Sequence, residues 1–188
     1  TTPAVVQPNR AHDLLWPVGT QAALAVWRTL YFSPREHVDD PGQSAQWNRG
    51  AYLVNGLGHC GECHSPRNML GATTGVALSG SVMPVTNWVA PSLRDATAAG
   101  VTAANRDATA RLLKAGLAHH GHSSGPMAEV VKGGTQYLDD GDLQAMLVYL
   151  ASLSQAPAVP NTREPAPAPA ELAGAAALYQ QHCSDCHG

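Results

Sequence analysis

The sequence predicts an all-α fold, since apolar residues recur with helical spacing in several segments separated by stretches rich in Gly and Pro. Large apolar side chains are scarce, because only one of the 188 residues is Phe and none is Ile. A chain of this length should nevertheless bury roughly two thirds of its unfolded surface. We therefore expect a group other than amino-acid side chains to fill part of the core.

Cap residues mark the ends of the predicted helices. Asn105 is expected to cap the start of one helix, which Gly116 ends. Asp139 or Asp140 is expected to cap the start of another helix, in which the leucines recur with helical spacing. Loops are expected at 33–44, 71–93 and 119–127. The predicted helices cover residues 21–31, 45–57 and 106–115, a segment ending at Leu153, and residues 171–181.

Composition divides the chain into four parts. Residues 1–44 form an N-terminal interdomain segment with a short helix, and residues 45–153 form one complete domain. Residues 154–170 are a Pro/Ala stretch, which should be an extended and semi-rigid linker. Residues 171–188 begin with a helix again but then stop, so they are expected to be the truncated start of a second domain.

Charge and hydropathy argue against two classes of protein. With 11 Lys and Arg against 14 Asp and Glu, the chain lacks the basic excess of a nucleic-acid binder. No apolar run approaches the roughly 20 residues that span a bilayer, so membrane association would come through partners or missing segments. The chain opens on Thr1 without an initiator Met, and its natural N-terminus is expected to be processed or to lie upstream.

The four cysteines form two copies of C-x-x-C-H, the attachment signature of c-type haem. Two thiols three positions apart can form thioethers to the two vinyl groups of one porphyrin, and the adjacent imidazole can then bind the iron. The predicted attachment cysteines and iron ligands are Cys60, Cys63 and His64 in the first copy and Cys183, Cys186 and His187 in the second.

Other uses of these cysteines fit less well. The two pairs are separated by 119 residues, whereas four-cysteine zinc sites usually have about 15 to 20 residues between the pairs. A thioredoxin-like redox pair needs a strand-helix-strand setting, which the surrounding sequence does not show. A zinc site would also leave the two motif histidines unexplained, and ordinary disulfides are the remaining alternative.

Longer segments carry a resemblance to a family. They are W-N-R-G-A-Y-L-V-N-G-L-G-H-C-G-E-C-H-S-P-R-N at 47–68, A-P-S-L at 90–93, G-P-M-A-E-V-V at 125–131 and L-D-D-G-D-L-Q-A-M-L-V-Y-L at 138–150. Together they resemble the multi-haem cytochrome c subunits of bacterial periplasmic dehydrogenases, of the alcohol and gluconate dehydrogenase type. The electron-accepting subunits of some molybdenum hydroxylases are similar too.

The resemblance implies a class I cytochrome c fold for residues 45–153, with the first and last helices crossing where Gly50 meets Tyr149. It also implies that the chain is a fragment, because such subunits usually carry three haem domains in a row. The chain would then run from the end of one domain, through a complete one, to the next haem motif.

The second axial ligand of the first haem must come from a loop that folds back over the ring. Met127 qualifies, because Gly125 and Pro126 hold its loop in a turn, and the resemblance agrees. Arg67 follows His64 closely, so it is either a partner for a haem propionate or simply exposed. The alternative axial ligands are Met83 and one of His119, His120 and His122.

An iron bound by both His and Met has no open position and can only exchange single electrons. The resemblance implies a periplasmic relay that takes electrons from a dehydrogenase catalytic subunit towards a quinone or terminal oxidase. It also implies an association with the outer face of the inner membrane. On this interpretation the chain is not itself an enzyme. The alternatives are a haem enzyme, such as a dihaem peroxidase or thiosulfate dehydrogenase, which needs an accessible iron, and a haem-based sensor.

Overall fold

A computed structural model of the chain describes residues 3, 5–83, 86–118, 121–154 and 173–184. The chain divides into two compact units, Thr1–Ser154 and Gln155–Gly188. Four predicted site residues lie outside the described residues, as does nearly all of the predicted linker. These residues are Cys186, His187, His119 and His120.

The described residues are mainly helical, as predicted, and their architecture is compatible with an all-α cytochrome c fold. Two antiparallel pairs of two-residue strands, β1 with β2 and β3 with β4, interrupt the loops. The helices are α1 Gln21–Tyr31, α2 Ala45–Tyr52, α3 Gly61–His64, α4 Arg106–Ala115, α5 Pro126–Gly133, α6 Asp140–Leu153 and α7 Ala173–His182. The strands are β1 Ser81–Val82, β2 Val89–Ala90, β3 Leu117–Ala118 and β4 Gly121–His122.

Most predicted helix ends are confirmed, with one difference in mechanism. The Asp139 carboxylate accepts a hydrogen bond from the Asp142 N–H and caps α6, while Gly116 ends α4 with a φ of 74°. Asn105 precedes α4, but its side chain bonds backwards, to the Thr102 N–H and the Gly100 carbonyl. It therefore holds the preceding turn together rather than capping the helix.

Two elements differ from the predicted pattern. The helix expected over 45–57 ends at Tyr52 and continues as a π-helical turn, Leu53–Leu57. Helix α5 begins within the predicted loop 119–127 and continues to Gly133, over residues for which no helix is predicted. Its Pro126 stands at the first helical position, where the missing N–H costs nothing.

The centre of the fold is the crossing of α2 and α6. A Cβ atom on Gly50 would lie 2.0 Å from the Ala145 carbonyl oxygen and 2.9 Å from the Tyr149 Cβ. The predicted contact of Gly50 with Tyr149 is therefore confirmed. The Trp47 ring meets the Tyr149 ring edge-on at 5.0 Å. Buried apolar residues around this crossing are Ala51, Leu53, Val54, Leu78, Val101, Leu113, Leu143, Met146, Leu147 and Leu150.

Polar contacts reinforce the same crossing. The Arg49 guanidinium donates two hydrogen bonds of 2.7 Å to the Asp142 carboxylate. This contact lowers the pKa of Asp142 and raises the pKa of Arg49. The Asn55 amide donates to the Tyr149 hydroxyl at 2.8 Å. Helix α2, through Arg49, and its π-helical extension, through Asn55, are thus each bonded to α6.

The N-terminal segment is attached by fewer contacts. The buried Asn48 amide bonds to both the N–H and the carbonyl of Asp40. No residue of α1 is buried, although the Trp27 indole N–H donates to the Leu70 carbonyl at 2.9 Å. Leu24 and Leu30 of α1 are about half exposed or more, at 46% and 65%. Helix α1 therefore presents apolar surface that this unit leaves uncovered.

Gly50→Ala should destabilise the haem-loaded protein by about 1 to 3 kcal/mol, because overpacking against a backbone carbonyl forces α2 and α6 apart. Gly56→Ala is the matched control, since its new Cβ would meet the Tyr52 ring at an ordinary 3.8 Å. The measurement is the free energy of unfolding in guanidinium chloride. Equal stability of the two variants would contradict a close helix crossing.

The Arg49–Asp142 contact should make stability depend on pH in one direction. Because the folded-state pKa of Asp142 is lowered, the wild-type advantage over Asp142→Asn should be full above the ordinary aspartate pKa of about 3.9. That advantage should disappear as pH falls through the lowered pKa. Urea unfolding between pH 7 and pH 2 measures it. Asp140→Asn is the control, since the Asp140 carboxylate lies in the same helical turn, is 93% exposed and forms only a 3.9 Å ion pair with the Lys114 ammonium, which should contribute little.

Candidate haem attachment site

The first C-x-x-C-H motif forms a single helical turn, α3, which follows the π-helical turn. Cys60, at its start, packs against the hydrophobic core. The Cys60 N–H donates to the Val54 carbonyl at 3.1 Å, and the His64 N–H donates to the Cys60 carbonyl at 2.9 Å. Cys60 and Cys63 are three positions apart, so they lie on one face of this turn. Both thiols are free and half-buried. Two free thiols and an imidazole therefore come from one short segment.

The His64 ring is oriented by a backbone group. Its Nδ1 lies 2.8 Å from the Pro91 carbonyl oxygen. Because a carbonyl can only accept, Nδ1 must carry the proton, and Nε2 keeps a lone pair. This is the usual arrangement for a histidine that binds a metal through Nε2.

The chain on both sides of Pro91 is bonded to the motif. The Gly80 N–H donates to the His64 carbonyl at 2.7 Å, and the Leu93 N–H donates to the Leu78 carbonyl at 2.9 Å. The buried Ser65 hydroxyl accepts from the Leu78 N–H at 3.0 Å. The 78–80 and 91–93 segments are therefore fixed against the residues that follow the histidine.

The Cys60 thiol lies in an environment that favours its neutral form. Burial raises the pKa of the Cys60 thiol, and the neighbouring Cys63 adds to this shift. Within the described part of the chain, no group of three or more His, Cys, Asp or Glu side chains could hold a metal ion. The alternative zinc site would also need Cys186, which lies outside the described residues.

Met127 is the second residue of α5, after Gly125 and Pro126. Its side chain is half-buried and packs against the hydrophobic core, as Cys60 does. Of the described alternatives, His122 is exposed in β4, and Met83 is half-buried at the end of β1. Met127 thus borders the hydrophobic core. Its role as an iron ligand stays a prediction.

Arg67 closes the loop that follows the motif. Its guanidinium forms an ion pair with the Glu62 carboxylate and also donates to the carbonyls of Glu62 and Gly71. These contacts use three of the five N–H donors. The predicted contact with a haem propionate would depend on the remaining two, and it stays a prediction.

The second motif is described only in part. Cys183 follows the last turn of α7, where its N–H donates to the Tyr179 carbonyl at 2.8 Å, and its thiol is free and exposed. The other two residues of this motif, Cys186 and His187, lie outside the described residues. Haem attachment there stays a prediction.

Sequence reasoning missed the backbone groups that position the site. Pro91 was noticed only as part of A-P-S-L, and its hydrogen bond to His64 spans 27 positions of the chain. Ser65 was not singled out at all, although its hydroxyl holds Leu78 in place. Neither contact has a periodic or local signal from which it could have been inferred.

The residues present fit a covalently bound haem. Two free thiols share one face of a turn, the imidazole keeps its Nε2 lone pair, and a methionine borders the same core. Large exposed apolar side chains are also frequent between the end of the π-helical turn and β2, where an apolar group outside the polypeptide could cover them. They are Leu57, Met69, Leu70, Val76, Val82, Trp88 and Val89.

A helix-rich fold with this motif is characteristic of c-type cytochromes. No protein-family model matches the chain. It is 35% identical to the cytochrome c subunit of the quinone-type alcohol dehydrogenase of Komagataeibacter europaeus, over 97% of this chain and 42% of the relative. It is 32% identical to the fructose dehydrogenase cytochrome subunit of Gluconobacter japonicus, over 96% and 41%. It is 33% identical to the gluconate 2-dehydrogenase cytochrome c subunit of Pantoea cypripedii, over 97% and 45%.

These matches confirm the predicted family: over most of its length the chain is homologous to the cytochrome c subunits of alcohol, fructose and gluconate dehydrogenases. The chain spans less than half the length of these three curated relatives. The relatives support haem c as the cofactor and electron transfer as the activity. They are named as cytochrome subunits and not as catalytic subunits, which agrees with the prediction that this chain is not the enzyme.

Replacing both Cys60 and Cys63 by Ala should lower the number of covalently bound haems by one per chain. The reason is that thioether bonds survive denaturation, whereas a haem held only by axial ligands does not. Intact-mass measurement after acid-acetone extraction counts the haems that remain. The matched control replaces Cys183 and Cys186 by Ala, which should leave the first haem attached. Wild-type protein that loses all its haem on extraction would refute covalent attachment.

Proposed function

We propose that this protein relays single electrons through a haem c attached to Cys60 and Cys63, with His64 and Met127 as the axial ligands. The observation that carries the proposal is the hydrogen bond between His64 Nδ1 and the Pro91 carbonyl. This bond leaves Nε2 free to bind the iron. The same motif holds two free thiols, and the chain is a relative of dehydrogenase cytochrome subunits. The haem supplies a one-electron change of oxidation state, and the polypeptide holds it in place.

Each residue of the site has a distinct part in this function. The Pro91 carbonyl orients the His64 ring and increases its basicity as a ligand. A thioether sulfur at Met127 raises the reduction potential relative to a second imidazole. With His64 and Met127 both bound, the iron would offer no open position to a substrate, and the site would exchange electrons without bond chemistry.

The rigidity of the fold also suits electron transfer. The α2–α6 crossing bonds the residues before the motif to the last helix of the unit. The core between them holds tightly packed apolar side chains such as Val54 and Leu147, both 0% exposed. A firmly packed scaffold would hold His64 and Met127 in one geometry in both oxidation states, because preorganised groups need little rearrangement when charge changes.

The electron donor in this proposal is the catalytic subunit of a dehydrogenase, and the acceptor is a quinone or a terminal oxidase. The donor is supported by the relatives, which are named as cytochrome subunits of alcohol, fructose and gluconate dehydrogenases. Quinone is supported by one of those names, since that alcohol dehydrogenase is designated a quinone type. Nucleic acid has no place in this function.

The proposed location is the periplasm, because haem is attached to C-x-x-C-H outside the bacterial cytoplasm. None of the helices in the described ranges is long and apolar enough to cross a membrane. Association with the outer face of the inner membrane would come through partner subunits or through segments beyond this chain.

The proposed domain organisation follows from the same relationship. Residues 1–44 are an interdomain segment, 45–153 the complete cytochrome domain, 154–170 a linker, and 171–188 the start of a second haem domain. The exposed apolar residues of α1 support this proposal, since a neighbouring domain could cover them. In it, Cys183, Cys186 and His187 attach a second haem.

Met127→Ala should abolish the weak near-infrared absorption of oxidised iron bound by methionine sulfur, and it should lower the reduction potential. Met69→Ala is the matched control, because Met69 is fully exposed and lies five positions after His64. The measurements are the near-infrared spectrum and a redox titration of the haem-loaded protein. Loss of the band in Met83→Ala instead would identify Met83 as the ligand. A bis-histidine spectrum in the wild type would transfer the role to His119, His120 or His122.

The relay itself predicts a dependence on the catalytic subunit. The full-length protein, reduced by a small-molecule donor, should pass electrons to a quinone analogue or an oxidase but should not oxidise an alcohol or sugar alone. Adding the catalytic subunit should restore substrate oxidation. Oxidation of substrate by the cytochrome without a partner would replace the relay with a haem enzyme.

A further inference from the structure

Trp88 contacts the turn that carries Met127. A Cβ atom on Gly125 would lie 2.6 Å from Cε2 and Cζ2 of the Trp88 indole, so the ring rests directly on this glycine. Gly125 has a φ of 53° and a ψ of −138°, a conformation that side chains disfavour. It immediately precedes Pro126 and Met127. The indole therefore supports the start of α5 from outside.

The same stretch of chain also contacts the other proposed axial ligand. Pro91, three residues after Trp88, accepts the hydrogen bond from His64 Nδ1. The stretch is fixed along its length, since the Met83 N–H donates to the Trp88 carbonyl and Ala90 pairs with Ser81 in the β1–β2 ladder. Residues 88–91, which we term the clamp segment, thus contact His64 at one end and the Met127 turn at the other.

We propose that the clamp segment holds both axial ligands of the haem, and that Trp88 is the positioning residue for Met127. This inference rests on the proposed ligation by His64 and Met127. Trp88 does not itself bind iron in this arrangement. Its indole prevents the Gly125 turn from moving away from the core, and so keeps the Met127 sulfur in place.

The burial of Trp88 argues for such a local role. The residue is 45% exposed and does not belong to the hydrophobic core around the α2–α6 crossing. Its removal should therefore leave the fold largely intact. The structural effect should fall on the Gly125 turn, whose strained backbone conformation depends on the packing around it.

Imidazole is a suitable probe, because it binds haem iron only when the methionine sulfur has left. The apparent affinity of such a ligand rises in proportion to the fraction of molecules in the binding-competent state. Trp88→Ala should bind imidazole about tenfold more tightly than the wild type, which corresponds to about 1.4 kcal/mol less restraint on Met127. Its near-infrared band should also weaken. Trp88→Phe keeps an aromatic ring over Gly125 and should restore both properties.

Tyr137→Ala is the control for loss of an aromatic ring, since Tyr137 is 77% exposed and lies outside the clamp segment. Gly125→Ala gives a second test, because its Cβ would displace the indole directly. It should shift imidazole affinity in the same direction as Trp88→Ala. Optical titration with imidazole gives the affinity of the wild type and of the four variants, each as the haem-loaded full-length protein.

The outcomes separate this inference from the function on which it rests. Unchanged imidazole affinity and an unchanged near-infrared band in Trp88→Ala, in a wild type that shows methionine ligation, would overturn the clamp while the relay stands. A wild type without methionine ligation would overturn both. Equal gains in Trp88→Ala and Trp88→Phe would show that the ring contact with Gly125 is not the cause, and would also overturn the inference.

Discussion

The close approach of α2 and α6 at Gly50 is the constraint on which the rest of the structure depends. Only a residue without a side chain allows the two backbones to meet there, since a Cβ would lie 2.0 Å from the Ala145 carbonyl. This crossing fixes the direction in which α2 ends. The π-helical turn follows at once and places the Cys60 N–H against the Val54 carbonyl. The position of the candidate haem site is therefore decided one helix before the motif begins.

Beyond the motif, the polypeptide holds its loops mainly with polar contacts. The chain is poor in large apolar side chains, having a single Phe. In the described residues of the 65–93 region, two short strands lie between the turns. Backbone groups of His64, Leu78 and Gly80, with the Ser65 hydroxyl, bond these turns to one another. Such contacts are worth only about 0.5 to 1.5 kcal/mol each. The bound haem would thus complete a core that the side chains alone leave thin.

Local signals made part of this structure predictable. The bounds of α1, the end of α4 at Gly116 and the Asp139 cap of α6 follow from neighbouring residues, so the sequence predicts them correctly. The π-helical turn and the Pro91 contact depend instead on groups distant in the chain. Helix α5 is an intermediate case, because Pro126 was available as a start signal but was interpreted only as part of a turn. The C-x-x-C-H motif predicts which residues bind the haem. The residues that surround these ligands can be identified only from the fold.

The use of backbone atoms to orient His64 has a consequence for sequence variation. A carbonyl at position 91 is present whatever the side chain, so the hydrogen bond requires a particular path of the chain rather than a particular residue. That path is constrained at Gly80, whose φ is 92° and whose added Cβ would lie 2.9 Å from the Ser92 nitrogen. The Ser65 hydroxyl, which accepts from the Leu78 N–H, holds the same path from the other side. Substitutions that preserve these contacts should therefore leave the orientation of the His64 ring unchanged.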